Sequence, residues 1–126
     1  MKYGGEWFGD KKHGKGVYIW PDGSQYTGYF VSGKKHGAGV YTKPSGWKYT
    51  GDFERDKMCG QGKIDYDDGS VYEGEFVDGA KHGRGVYSYV DGLVYDGEFL
   101  NDRKHGRGIY IYQNGVKCEV ICENDN

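Results

Sequence analysis

Good helix formers are scarce in this sequence. Alanine, leucine and methionine occur only twice each in 126 residues, whereas 13 tyrosines, 5 phenylalanines and 3 tryptophans supply rings that favour strands. Proline also occurs only twice, so the 24 glycines do not belong to a disordered proline-glycine linker. These absences argue against a helical domain and predict an all-β fold.

Long apolar runs, surplus positive charge and paired cysteines are missing as well. No stretch approaches the ~18 apolar residues of a membrane-spanning helix, and the first residues show no apolar signal region. A net charge of −2 provides no bulk basicity, so we expect no nucleic-acid partner. Cys118 and Cys122 would lie ~13 Å apart in a strand, beyond the ~7 Å reach of a disulfide. With Cys59 they are predicted to be reduced thiols of a cytoplasmic protein.

A unit of 23 residues fills the chain. Its leading tyrosine recurs without insertion at Tyr3, Tyr26, Tyr49, Tyr72 and Tyr95. A fixed period of this length is typical of repeat architectures. We predict a single repeat domain over residues 1–122, with units at 3–25, 26–48, 49–71, 72–94 and 95–117, a terminal capping strand at 118–122, and a polar tail at 123–126.

Each unit is predicted to form two strands and two turns. Counting from the tyrosine as position 0, glycine stands at +2 and a ring at +4, while +1 and +3 are mostly polar. The first strand therefore has one aromatic face. A second strand carries glycine at +13 and most of its rings at +15 and +17. Turn residues at +7 and an Asp-Gly type pair at +19 and +20 separate the strands. Five units and the cap predict ten to eleven strands in an antiparallel meander.

The glycine at +2 suggests a register for the hairpins. Pairing +2 with +15 and 0 with +17 places Gly74 opposite Tyr87 and Tyr72 opposite Tyr89. A ring from the neighbouring strand could then lie flat over a residue that has no side chain.

The combined pattern resembles the MORN repeat (membrane occupation and recognition nexus). Tyr-x-Gly-x-Phe/Trp is followed by Gly/Asp-x-x-His-Gly-x-Gly and then by Asp-Gly, over residues 3–117. The resemblance implies an elongated, twisted β-meander that acts as a scaffold in ciliary axonemes and radial spokes, other cytoskeletal assemblies, membrane junctions, or beside enzymes as an accessory module. Unit 3 departs most from this pattern, with Met58, Cys59, Lys63 and Ile64 in place of Lys, His, Val and Tyr.

The histidines and Gly-x-Gly pairs are not predicted to carry chemistry. Histidines in adjacent units stand ~10 Å apart, too far to share a zinc ion whose ligands lie ~2 Å away. We interpret them as turn-stabilising, with a His/Cys metal site between two chains as the weaker alternative. The Gly-x-Gly pairs lack the third glycine and the following helix of a phosphate loop. We expect no enzymatic activity, no cofactor and no metal.

The aromatic face is the first candidate for binding. We expect a single-layer sheet to leave many of its rings exposed, and exposed apolar area of this extent marks an interaction surface. The predicted protein-binding residues are Trp7, Tyr18, Trp20, Phe30, Tyr41, Trp47, Phe53, Tyr66, Phe76, Tyr87, Tyr89, Phe99, Tyr110 and Tyr112.

A basic edge is the second candidate. Positions +8 and +9 carry Lys11, Lys12, Lys34, Lys35, Lys57, Lys81, Arg103 and Lys104. Basic clusters contribute ~1 kcal/mol per residue near an anionic membrane, so this edge predicts binding to phosphoinositide headgroups or an acidic protein. Solvated hairpin tips are the plainer interpretation.

We therefore expect a scaffold that binds a protein partner, either an extended peptide or a helix lying on the sheet. A ciliary or other cytoskeletal assembly in the cytoplasm is the expected location, on the family resemblance alone. The alternative is a membrane-associated module that binds anionic lipid through the basic edge. A homodimer through a sheet edge is a further option, because unpaired edge strands tend to pair.

Overall fold

In the computed structural model, which describes residues 2–125, the chain forms one open antiparallel sheet of eleven strands and no helix. The strands are β1 (Lys2–Phe8), β2 (Lys11–Ile19), β3 (Gln25–Val31), β4 (Lys34–Thr42), β5 (Lys48–Glu54), β6 (Lys57–Asp65), β7 (Val71–Val77), β8 (Ala80–Ser88), β9 (Val94–Leu100), β10 (Arg103–Ile111) and β11 (Lys117–Asp125). They pair in chain order from β1 to β11. The predicted all-β meander is confirmed. Over the same residues, no helix is long and apolar enough to cross a bilayer.

The last strand is longer than the predicted cap. β11 begins at Lys117 and continues through Asp125, so the backbone of most of the segment predicted as a polar tail belongs to the strand. Cys122 takes the +4 place of the ring and is 6% exposed. Asn126, the end of the predicted tail, lies outside the described residues.

The register differs from the predicted one by two residues. Tyr72 lies opposite Tyr87, and Gly74 lies opposite Gly85. The difference arises at the hairpin tip, which is tighter than predicted because Val77 already pairs with Ala80. Only two residues remain for the turn, and both have positive φ, as a type I′ turn requires. The second strand then has two more residues than the first between this tip and the glycine pair, which produces a β-bulge.

The observed register aligns the glycines across the sheet. Every strand from β1 to β10 contributes one glycine, and each lies opposite the glycine of the next strand. The row consists of Gly5, Gly16, Gly28, Gly39, Gly51, Gly62, Gly74, Gly85, Gly97 and Gly108. It ends at Val120 of β11. A row without side chains leaves a trough along the aromatic face, perpendicular to the strands.

The tyrosine at position 0 fills this trough. Tyr72 is fully buried, and its hydroxyl donates a hydrogen bond to the backbone carbonyl of Glu75, at 3.0 Å. A Cβ added to Gly85 would lie 2.5 Å from Cζ of Tyr72, and a Cβ added to Gly74 would lie 2.5 Å from Cα of Gly85. The glycines are therefore required by close approach of ring and backbone. The covering ring comes from the same strand as the first glycine, and the prediction that Tyr87 covers Gly74 is wrong.

Rings at 0 and +4 join the units into one core. Tyr26 contacts Phe30 of its own unit at 5.1 Å between ring centroids and Phe53 of the next unit at 5.2 Å, both edge to face. Tyr49 repeats the arrangement with Phe53 and Phe76. Aromatic pairs of this geometry contribute about 0.5–1.5 kcal/mol beyond their area burial. Each unit is thus stabilised by its neighbour, as expected of a repeat array.

Substituting Gly85 by alanine should destabilise the protein by about 3 kcal/mol or more, because the new methyl group would overlap the buried Tyr72 ring. The free energy of unfolding from denaturant titration measures this. Gly79→Ala is the matched control, since its Cβ would meet no atom within 4 Å and only its φ of +86° is unfavourable. That control should lose about 1–2 kcal/mol. Equal losses in the two variants would contradict the ring-over-glycine arrangement.

The buried tyrosines should make the fold unstable in alkali. Burial raises the pKa of Tyr26 to about 12 and also raises the pKa of Tyr49 and Tyr72. Tyrosines of the unfolded chain ionise near pH 10. Their stabilising contribution is therefore complete below about pH 10 and is lost as the pH rises toward 12, by about 1.4 kcal/mol per pH unit for each group. Unfolding and tyrosinate absorbance should change together. Ionisation of the buried tyrosines within an intact sheet would refute the expectation.

Candidate functional site

The aromatic face has two layers. The inner layer contains the buried rings at 0 and +4, which are Tyr26, Phe30, Tyr49, Phe53, Tyr72, Phe76, Tyr95 and Phe99. The outer layer contains the rings at +15 and +17, which are half-buried except for one more exposed member; they are Tyr18, Trp20, Tyr41, Tyr66, Tyr87, Tyr89, Tyr110 and Tyr112. Trp47 joins the outer layer by packing edge to face on Tyr41, with ring centroids 6.0 Å apart.

Four predicted binding residues belong to the inner layer. Phe30, Phe53, Phe76 and Phe99 are 2–5% exposed because each packs against neighbouring tyrosines, so the prediction that they contact a partner is wrong. Trp7, the equivalent residue of the edge strand β1, is 57% exposed. For the outer rings, partner contact stays a prediction.

The outer rings form a row that crosses the strands. Trp20 lies 4.6 Å from Tyr18 and 5.3 Å from Tyr41, measured between ring centroids. A second group follows, in which Tyr87 lies 5.6 Å from Tyr66 and 4.6 Å from Tyr89. Between the two groups the row is interrupted, because Lys43 occupies +17 of unit 2 and Ile64 occupies +15 of unit 3.

The predicted basic edge separates into two sets. The +8 residues lie exposed at the starts of their strands, at the hairpin tips; they are Lys11, Lys34, Lys57 and Arg103. The +9 residues turn onto the aromatic face instead; they are Lys12, Lys35, Lys81 and Lys104. Their stems pack along the rings and their ammonium groups lie about 5–6 Å from ring centroids, where the ring faces attract a cation. A continuous edge of eight cations is therefore wrong.

Lys104 is the most buried of the +9 lysines. It is 5% exposed, and its ammonium group donates hydrogen bonds to the hydroxyls of Tyr89 and Tyr110, the latter at 2.8 Å. Burial alone would lower the pKa of Lys104, but the hydrogen bonds to Tyr110 and Tyr89 outweigh it and the pKa is raised. Burial likewise raises the pKa of Tyr66 to about 12, with Asp102 adding to the effect. Lys81 donates to the Tyr66 hydroxyl at 3.2 Å.

Two of these lysines are clamped by an aspartate of the following unit. The carboxylate of Asp56 accepts a hydrogen bond from the backbone N–H of Lys35 at 2.7 Å. It also forms an ion pair with the ammonium group of Lys35 at 3.3 Å. Asp102 does the same for Lys81, at 2.8 and 3.5 Å. The aspartates occupy +7, where their φ of +72° is unusual for a residue with a side chain. The alternation of Asp and Gly at +7 was visible in the sequence, but only the structure shows that Asp holds a lysine.

Unit 3 lacks this arrangement at its junction with unit 4. Met58 replaces the lysine, and Gly79 stands where the clamping aspartate would be, although the backbone N–H of Gly79 still donates to the Met58 carbonyl at 2.9 Å. A depression of about 330 Å³ opens here; it is lined by Lys35, Tyr41, Lys43, Trp47, Phe53, Asp56, Lys57, Met58 and Gly79. We call this depression the notch. The sequence showed Met58 as a departure from the repeat and Trp47 as a binding candidate, but it did not indicate that the two residues lie together.

The opposite face carries charged and small apolar residues. A depression of about 750 Å³ near the C-terminal strands includes Arg84, Asp96, Arg107 and the exposed Ile121. Arg84 and Asp96 are 3.7 Å apart, but both are largely exposed, so their ion pair contributes little. Among the side chains described for residues 2–123, no group of three or more His, Cys, Asp or Glu residues is placed to hold a metal ion.

The histidines lie inside strands and not in the turns that the sequence suggested. His13, His36, His82 and His105 each precede a glycine with φ between +73° and +88°. The residue after that glycine donates its backbone N–H to a +3 glutamate in units 1, 4 and 5. The His-Gly pair therefore lies at the β-bulge of the four hairpins that contain it.

The sequence pattern that builds these stacked tyrosine-over-glycine hairpins matches the model of a known family. The MORN repeat matches residues 3–25, 26–48, 49–71, 72–94 and 95–117, which is nearly the whole chain. The chain belongs to the MORN repeat family. This family is a non-catalytic repeat module, and the five matched segments coincide with the units predicted from the tyrosine spacing.

A solved structure from Drosophila melanogaster resembles the MORN array in fold. It is the TCP domain of SAS-4 (dCPAP) in complex with a proline-rich motif of Ana2 (dSTIL). The TM-score is 0.55 at 18% sequence identity, over 87% of this chain and 61% of that one. The MORN chain thus spans about three-fifths of the length of that domain. No curated protein sequence matches the MORN chain.

Proposed function

We propose that this MORN array is a protein-interaction scaffold that holds an extended, proline-rich segment of a partner along its outer aromatic layer. The observation that carries the proposal is the half-exposed row of rings with ammonium groups between them. Rings offer proline-rich peptides apolar surface, and their hydroxyl and ammonium donors can bind peptide carbonyls.

The spacing of the units favours an extended peptide over a helix. Two strands per unit at ~4.8 Å give a repeat of ~9.6 Å along the row. A polyproline II helix advances ~9.3 Å in one turn of three residues, so every third residue would meet the same ring position in the next unit. An α-helix returns to the same face every ~5.4 Å, and the nearest multiple of this pitch, two turns or ~10.8 Å, exceeds the unit spacing, so a helix would drift out of register. Among the two partner shapes expected from the sequence, the extended peptide fits better.

The Drosophila TCP domain supports the choice of peptide class. Its structure contains a proline-rich motif, and it shares the fold of the MORN array. The low identity makes this support for the proposal and does not carry binding residues from one protein to the other.

The proposed setting is a cytoplasmic cytoskeletal or ciliary assembly, in which a scaffold of this kind would connect extended segments of other proteins. Pairing of two copies through a sheet edge is compatible with the proposal, because the rings lie on the sheet face and leave the edges accessible. Binding to anionic lipid would now depend on the four +8 cations alone, since the +9 lysines lie over rings.

Peptide binding to the outer layer can be tested with a fluorescein-labelled peptide of repeated Pro-Pro-Glu, measured by fluorescence anisotropy. Tyr89→Ala and Tyr112→Ala should each weaken binding by about tenfold, the loss typical of an aromatic anchor. Val86→Ala is the control, because Val86 is exposed on the opposite face near the end of strand β8. Unchanged affinity in both tyrosine variants, with folding verified by denaturant titration, would contradict the proposal.

Co-sedimentation with vesicles that contain phosphatidylserine or a phosphoinositide distinguishes lipid binding from peptide binding. Co-sedimentation should be weak and insensitive to Tyr112→Ala. Strong sedimentation that is lost on reversing Lys11, Lys34, Lys57 and Arg103 to glutamate, without any peptide binding, would favour the membrane function instead.

A further inference from the structure

The +9 row of ammonium groups is broken at one place. Units 1, 2, 4 and 5 present a lysine there, and unit 3 presents Met58. The partner position in the next unit changes at the same junction, because Gly79 supplies no carboxylate. Only at this junction of the described units are lysine and aspartate both replaced. Met58 and Gly79 therefore form an apolar interruption in the row of +9 lysines.

Apolar side chains make up much of the lining of the notch. Phe53 and Met58 both line it; Phe53 belongs to the aromatic core and Met58 packs against that core. Tyr41 and Trp47 stand beside each other, with ring planes 82° apart. Ile64 replaces the tyrosine that stands at +15 in the other units, and it is 4% exposed. Unit 3 therefore has no outer-layer ring at this position. A volume of about 330 Å³ is enough for one leucine- or proline-sized side chain of a peptide.

Positive charge surrounds the notch. Its lining contains three lysines and one aspartate, a surplus of two positive charges. Asp56 is engaged by Lys35 at 3.3 Å, whereas the ammonium group of Lys43 lies 4.7 Å above the Trp47 ring and Lys57 is exposed. Carboxylates of a partner would therefore be attracted to Lys43 and Lys57, at the rim of an apolar pocket.

The geometry points to the notch as the anchor site of the array, which takes one apolar side chain of an extended partner segment that carries acidic residues within one turn, about three residues, of it. This inference rests on the proposed function, since it specifies which part of the outer layer selects the peptide. The other units supply repeated contacts, and unit 3 sets the register in which the peptide lies.

Three fluorescein-labelled proline-rich probes test the anchor. The first has a single leucine flanked by glutamates, the second has alanine in place of the leucine, and the third has lysines in place of the glutamates. On the wild-type protein the leucine probe should bind about tenfold more tightly than the alanine probe, because a leucine side chain leaves water. The lysine probe should bind more weakly still.

Filling the notch should remove this preference. Met58→Lys combined with Gly79→Asp rebuilds the arrangement seen at Lys35 and Asp56, so the variant is expected to fold, because the new ion pair and backbone hydrogen bond offset the cost of a side chain at positive φ. It should bind the leucine and alanine probes equally. Denaturant titration verifies its folding.

A second notch can be made one unit away. Lys81→Met combined with Asp102→Gly removes the lysine and its clamp without touching any residue that lines the existing notch. A probe with two leucines three residues apart should bind this variant about tenfold more tightly than it binds the wild type, because one peptide turn matches one unit.

The outcomes distinguish the two proposals. If no probe binds the folded wild-type protein, both the proposed function and the anchor are overturned. If the probes bind but leucine gives no advantage over alanine, or if Met58→Lys with Gly79→Asp keeps that advantage, the anchor is overturned and the scaffold function stands.

Discussion

The structure depends on a tyrosine ring packed closely against a pair of opposed glycines. A single sheet has no second layer to bury its hydrophobic face, and no helix within residues 2–125 covers it. The array solves this by folding the position 0 rings down onto its own backbone, where the trough of glycines makes room. The ring gains burial, and its hydroxyl satisfies the +3 carbonyl at the place where the bulge interrupts strand pairing.

The same arrangement explains why the units cannot stand alone. A two-stranded hairpin is marginal in water, and each inner phenylalanine needs a tyrosine from the preceding unit as well as from its own. The chain of edge-to-face contacts runs from Tyr3 through the successive pairs to Tyr95. At the last strand the ring is replaced by Cys122, a small apolar side chain that remains buried.

The period, the strand order and the division into two faces could be predicted from the sequence, because they follow from spacing alone. The register could not, because it depends on where the two-residue turn closes and on the bulge beside Gly83, neither of which changes the hydrophobic alternation. The burial of Phe76 and the direction of the Lys81 side chain onto the aromatic face could not be predicted from the sequence either. A ring and a long cationic stem on one face can lie in either layer, and only the packing of Tyr72 over its glycines decides which.

The five copies within this chain show which positions the fold constrains. Position 0 is tyrosine, and +2 and +13 are glycine, in every unit, including unit 3 with Tyr49, Gly51 and Gly62. The outer positions vary: +9 accepts Met58, +15 accepts Ile64, and +17 accepts Lys43. The glycines and tyrosines of the inner layer cannot change without overlap of ring and backbone, so on the aromatic face the units differ mainly in the outer layer. Under the proposed function, recognition resides in departures from the repeat, and the unit that matches the pattern least is the one best placed to select a partner.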